Sequence, residues 1–134
     1  MIYRNIRKDL PETLELHKDE RGSILDIFYK TKINHVAIVD SNPNTLRGNH
    51  YHKMTTQHML ITKGSLEYWY KHLGSKNVPK MKLVEEGDLI TTPPLEIHAL
   101  KILEQGNQFI VFSEGLRGGS DYESDTFRVD SIIE

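Results

Sequence analysis

Residues Arg47–Gly64 read RGNHYHKMTTQHMLITKG, and the rest of the chain is read outward from them. His50 and His52 stand two apart, and in a strand alternate side chains leave the same face, so both imidazoles point one way. A second strand starting near Gln57 carries Gln57, Met59 and Ile61 on one face and His58, Leu60 and Thr62 on the other. If Met59 and Ile61 face a barrel interior, Gln57 faces it too and His58 does not. Further along, Gly87–His98 reads GDLITTPPLEIH and offers a third inward histidine, His98. Three imidazoles and one amide oxygen converging in a small barrel make a metal site or an acid–base site.

The chain in order supports an all-β reading. Met1–Leu16 mixes apolar and charged residues without a long period, as a short added strand or a wandering arm would. Lys18–Gly22 is a charged turn ahead of a strand over Ser23–Phe28, and Asn34–Val39 is the next strand, stopped by the turn residues Asp40–Asn44. Gly64-Ser65 is read as a turn into the aromatic strand Leu66–Lys71, and His72–Pro79 as a hairpin loop. Met81–Val84, Leu89–Thr92, Ile97–Leu103 and Gln108–Phe112 are strands, with Glu104–Asn107 read as a hairpin turn between the last two. Gly115–Ser124, including Gly118-Gly119, is loop, and Thr126–Val129 a last strand. About eight to ten short strands at turn spacings of about eight to twelve residues predict a sandwich or barrel.

Composition sets the limits. With 134 residues the chain fits a single domain, 1–134. A net charge of −2 gives no electrostatic case for nucleic acid. There is no cysteine, so any metal must use imidazole, carboxylate, amide or water ligands. No run approaches the ~18 apolar residues of a membrane span, and MIYRNIRKDL lacks the apolar core of a secretory signal. A cytoplasmic protein is the expectation.

The spacing of these residues resembles the two cupin motifs, G-x5-H-x-H-x(3,4)-E-x6-G and G-x5-P-x-G-x2-H-x3-N. His50, His52, position 57 and Gly64 fall on the first, and Gly87, Pro93 and His98 on the second. Gln57 stands where the motif has glutamate, Leu95 where it has glycine and Ile102 where it has asparagine; no glycine precedes the first motif. More narrowly, Thr45–Tyr51 and Asp19–Leu25 are similar to segments of dTDP-4-dehydrorhamnose 3,5-epimerases. Arg47–Lys53 with Gln57 resembles the signature of sugar-nucleotide 3,4-ketoisomerases. Gly48–Gly64 with Asp125–Phe127 is similar to the C-terminal cupin domain of capsular-polysaccharide reductase-epimerases.

The resemblance implies a double-stranded β-helix, a jelly-roll barrel, forming a homodimer and acting on a nucleotide-linked 4-keto sugar. It makes His50 a catalytic base, brings in His52, and asks for a tyrosine acid, with Tyr68 and Tyr70 as candidates on one strand face. Arg47 and Arg21 are candidates for a substrate diphosphate. The metal set is His50, His52, Gln57 and His98, suited to a divalent transition metal such as Zn, Fe, Ni or Mn, with His58 as the alternative fourth ligand. A metal-free acid–base site is the other reading of the same histidines. Competing function classes are a non-catalytic sugar-binding or regulatory cupin and a metal-dependent oxygenase or isomerase of another small molecule. His17, His35 and His72 have no motif partners, and Asp121, Asp125 and Asp130 are expected to be exposed, one of them a possible orienting partner for a histidine.

Overall fold

The computed structural model describes residues 1–116 and 119–134. Its strands are β1 (Ile2–Asn5), β2 (Leu16–Asp19), β3 (Gly22–Leu25), β4 (His35–Ser41), β5 (Leu46–Tyr51) and β6 (Thr56–His72), followed by β7 (Lys80–Glu85), β8 (Asp88–Thr92), β9 (Glu96–Glu114) and β10 (Phe127–Arg128). All pairings are antiparallel, and two one-turn 3-10 segments near residues 119–125 are the helical elements among the described residues.

Two long strands organise the barrel. β6 and β9 pair along nearly their full length, from Thr56 opposite Glu114 to His72 opposite Glu96. Both bend together where the register slips between Ile61 and Leu66. Gly64 sits at the bend with φ +72°, and a Cβ there would meet the Gly106 carbonyl oxygen at 2.4 Å. Only glycine lets the two backbones approach so closely. The bend splits the fold into two facing sheets. One runs β7, late β6, early β9, β5, β10; the other runs β1, β8, early β6, late β9, β4. Their inner faces meet in a core of Met59, Ile61, Leu66, Tyr68, Val84, Ile90, Leu100, Ile102, Phe109 and Val111. This is an all-β jelly-roll barrel.

Two expectations about the path of the chain are corrected. Gly64-Ser65 does not end a strand, and Glu104–Asn107 is not a hairpin turn; each marks a bend inside a long strand. A hairpin would pair Ile97–Leu103 with Gln108–Phe112, whereas both halves of β9 pair with β6 instead. The charged turn at Glu20-Arg21 closes the β2–β3 hairpin, whose second strand stops at Leu25 rather than Phe28. The N-terminal segment adds β1 to β8, and the last strand is β10, on the edge of β5. Of the loop read over Gly115–Ser124, Gly118 lies outside the described residues.

Candidate active site

The site is assembled on β5 and the start of β9. Gly48, φ +87°, lets β5 lie close on β9: a Cβ there would meet the His98 carbonyl oxygen at 2.7 Å. Asn49 is also left-handed, and the resulting bulge between Gly48 and His50 sets His50 directly opposite His98. His52 follows just past the end of β5. The rings of His50, His52 and His98 lie 4.7–5.5 Å apart by centroid, and one ring nitrogen from each falls within 4.8 Å of the others.

The two inner imidazoles have defined tautomers. His52 Nδ1 lies 2.6 Å from the Asp125 carbonyl and His98 Nδ1 3.1 Å from the Glu96 carbonyl. A carbonyl only accepts, so each Nδ1 carries a hydrogen and each Nε2 is the nitrogen left to face the cluster. His52 Nε2 is buried with no hydrogen-bond partner among the described residues. Burial, with the neighbouring His52 adding to it, pushes the pKa of His98 down to about 4 against the hydrogen bond to Glu96. It is neutral at pH 7. His50 is half-buried and lines the cavity beside the cluster.

That cavity, about 340 Å³, opens into the barrel. His50, His98, Gln57, Tyr68 and Thr92 supply polar groups to its wall, and Met59, Leu100, Phe109 and Val111 its apolar lining. Gln57 therefore shares the interior with the histidines. His58 faces outward, bonds Thr91 Oγ1 at 2.7 Å and packs against the Phe28 ring. Tyr68 reaches the cavity; Tyr70, on the same strand face, lies at the margin of the core and does not line it. Trp69 points the other way and donates to Glu67.

The two arginines separate. Arg47 lines the cavity, with Nε donating to Ser41 Oγ at 2.7 Å and Nη2 to the Asp40 carbonyl at 3.0 Å. Arg21 is at the tip of the β2–β3 hairpin, exposed and paired with Asp19, and does not line the cavity.

Sequence reading missed three groups here. Arg128, which also pairs with Glu123, and Tyr122 both line the cavity. Glu96 is the third; Asp125, named among three aspartates of which one was to orient a histidine, holds His52 Nδ1 through its backbone carbonyl, but it is 2% exposed and not at the surface, a correction. Its carboxylate accepts from the amides of Lys53, Met54 and Thr55 and from Thr55 Oγ1, at 2.7–3.0 Å. Burial alone would raise its pKa; these donors outweigh it and hold the carboxyl below its usual value. Asp121 and Asp130 are exposed as expected. The signal for Asp125 was its place in the Asp125–Phe127 resemblance; nothing local marked it as buried.

A family model for the polysaccharide biosynthesis C-terminal domain matches residues 17–115. The chain belongs to that family. A comparison with curated proteins finds no match. Among solved structures, this polysaccharide biosynthesis C-terminal domain is similar to a 3,4-ketoisomerase of Thermoanaerobacterium thermosaccharolyticum, solved with TDP-4-keto-6-deoxyglucose. The TM-score is 0.68 at 17% identity, covering 87% of this chain and 83% of that one. A dTDP-4-dehydrorhamnose 3,5-epimerase of Sulfolobus tokodaii gives 0.68 at 17% identity, over 95% and 83% of the two chains. The capsular polysaccharide assembling protein CapF of Staphylococcus aureus gives 0.64 at 20% identity, with 91% of this chain matching 37% of that one. At these identities the likeness establishes the cupin jelly roll. Among the described residues no helix is long and apolar enough to cross a membrane.

Proposed function

We propose that this domain is an isomerase of nucleotide-linked 4-keto sugars, with the three-histidine cluster as its reaction centre. The observation that carries the reading is the placement of His50 and Tyr68 on the wall of one cavity, with the His98 ring against both. A proton alpha to a ketone can be taken by an imidazole near neutral pH. Taking it from C3 of a 4-keto sugar leaves an enediolate across C3 and C4. Its return to C3 from the opposite face inverts that centre; its return to C4, with the hydroxyl proton passing to O4, moves the ketone. The Tyr68 hydroxyl, which gives its hydrogen to Glu96 Oε1 at 2.9 Å in this structure, would turn to the substrate as the acid for that return. Arg47 and Arg128 provide guanidinium groups for a diphosphate, while Arg21 and Tyr70 have no contact with the cavity to support a role.

The donor set also fits a divalent transition metal. Three imidazole nitrogens lie within 4.8 Å of one another, His52 Nε2 is buried without a partner among the described residues, and Gln57 adds an amide oxygen to the same wall. His50, His52, His98 and Gln57 would hold the ion, which would polarise the ketone oxygen of the substrate. Without an ion, His50 is the base, since it is the one of the three that is not fully buried and that lines the cavity with His98. The reading includes a homodimer in the cytoplasm; exposed Val36 and Ile38 on the outer strand β4 support self-association.

The test is turnover of TDP-4-keto-6-deoxyglucose followed by NMR of the products. The reading predicts an isomeric keto sugar and its loss in His50→Ala. Binding of the nucleotide sugar without conversion would make the domain a sugar-binding cupin instead.

A further inference from the structure

A second cavity, of about 400 Å³, lies on the outer face of the sheet formed by β1, β8 and early β6. Gln57 pairs with Thr92 and His58 with Thr91, and strand parity sends consecutive side chains to opposite faces. Gln57 and Thr92 line the three-histidine cavity, whereas His58 and Thr91 line the outer one. One layer of sheet therefore separates two chambers. The irregular segments on either side of the β2–β3 hairpin close over the outer chamber. They contribute Leu14, Ile27, Phe28 and Tyr29, and β8 adds Leu89, so the walls are mainly apolar and aromatic.

Among the described residues on that wall, Arg4 alone carries a permanent charge. Its Nη2 donates to the Ile27 and Asp26 carbonyls at 2.6 and 3.4 Å, which fixes the guanidinium in place. Nη1 is buried and has no hydrogen-bond partner among the described residues, and no carboxylate among them pairs with Arg4. Burial pulls its pKa below the usual value against the attraction of Asp9, yet a guanidinium stays charged at pH 7. A buried donor left unmatched is costly, and so is a cation drawn out of water with no counter-charge. An anionic ligand would answer both. One open guanidinium nitrogen suits a single carboxylate head better than a phosphate dianion, and the surrounding walls suit an aryl body. The volume lies within the roughly 300–1,000 Å³ of small-molecule pockets. We propose that this outer cavity is a second ligand site, taking an aryl monocarboxylate with its head on Arg4 Nη1 and its ring between Phe28 and Leu89. The proposal stands independently of the isomerase reading.

The experiment titrates 2-naphthoate into isotope-labelled protein and follows the backbone amide shifts by NMR. The neutral 2-naphthamide, of the same shape, is the control for charge, and inorganic phosphate the control for anion binding alone. Naphthoate should give saturable shifts at the amides of residues 2–4, 13–14 and 27–31, with those of 47–52 unmoved. Naphthamide should bind about ten- to hundredfold more weakly, the worth of a charge-assisted hydrogen bond. Arg4→Met should weaken naphthoate by the same factor and leave naphthamide unchanged. Because Arg4 also ties down two carbonyls, thermal melts check that each variant folds. Thr13→Trp, at an exposed position on the rim, adds bulk over the cavity and should abolish binding with the melt unchanged. It decides the question if Arg4→Met does not fold. No saturable shift at millimolar naphthoate, equal binding of acid and amide, or shifts centred on His50 and Gln57 would each overturn the proposal. So would undiminished binding in folded Arg4→Met or in Thr13→Trp, or phosphate moving the same amides as strongly as naphthoate.

Discussion

Replacing Asp125 by asparagine should unlatch the C-terminal segment from the histidine loop. One carboxylate oxygen accepts from Lys53 N at 2.8 Å; the other takes Met54 N, Thr55 N and Thr55 Oγ1 at 3.0, 2.9 and 2.7 Å. An asparagine best turns its carbonyl toward the three donors, which sets its NH2 against the Lys53 amide. At least one buried donor is then left unmatched, costing about 1–3 kcal/mol, and three charge-assisted bonds become neutral ones of roughly half the strength. The sum is about 2–4 kcal/mol, measured by urea denaturation against wild type. The charge also makes a pH prediction. The folded pKa of Asp125 is below the 3.8 of a free carboxyl, so its contribution is complete above that value and lost as pH falls through the lower folded one. Asp125→Asn should remove that part of the acid sensitivity. Hydrogen exchange should quicken at the amides of residues 53–55, and because the Asp125 carbonyl holds His52 Nδ1, turnover should fall with it. Asp121→Asn and Asp130→Asn, at exposed positions, should stay within about 0.5 kcal/mol of wild type. An Asp125→Asn protein as stable as these controls would refute the latch.

The remaining predictions concern the turn before His98 and the metal. Leu95 has φ +67° where the second cupin motif has glycine, and its amide donates to the His52 carbonyl at 2.7 Å. The left-handed conformation costs a branched residue about 1–2 kcal/mol, and glycine loses about 0.5–1 kcal/mol of chain entropy. Leu95→Gly should therefore raise stability by roughly 0.5–1 kcal/mol in thermal unfolding; a loss would show that Leu95 packing outweighs the strain. Elemental analysis of untagged protein should find close to one transition-metal ion per chain, lost in His98→Ala. Absence of metal from the wild type would assign His50 to proton transfer in a metal-free site.

The parts of the site set by local pattern were legible in the sequence. Strand parity put Gln57 inward and His58 outward, and the same argument placed Tyr68 and Tyr70 together. Parity could not choose between those two tyrosines, because the choice depends on how far each lies from the barrel centre. The bends at Gly64 and Gly106 were misread for a physical reason. Glycine among polar residues marks a reversal and a bend in a long strand alike, and only the unbroken β6–β9 pairing decides which. Asp125 and Glu96 were illegible in another way. Each is a carboxylate in a polar or turn-rich stretch, where exposure is the ordinary outcome. Their burial comes from partners far along the chain, Thr55 for one and Tyr68 for the other. Arg21 illustrates the opposite case, a motif-like arginine whose hairpin leaves it paired with Asp19 in solvent.

The central claim is that this cavity removes a proton alpha to a sugar ketone, and incubation in D2O with TDP-4-keto-6-deoxyglucose tests it most directly. The account predicts loss of the C3 or C5 proton signal in wild type and its persistence in His50→Ala. Full retention of both protons in the wild-type reaction, with the nucleotide sugar bound, would contradict it.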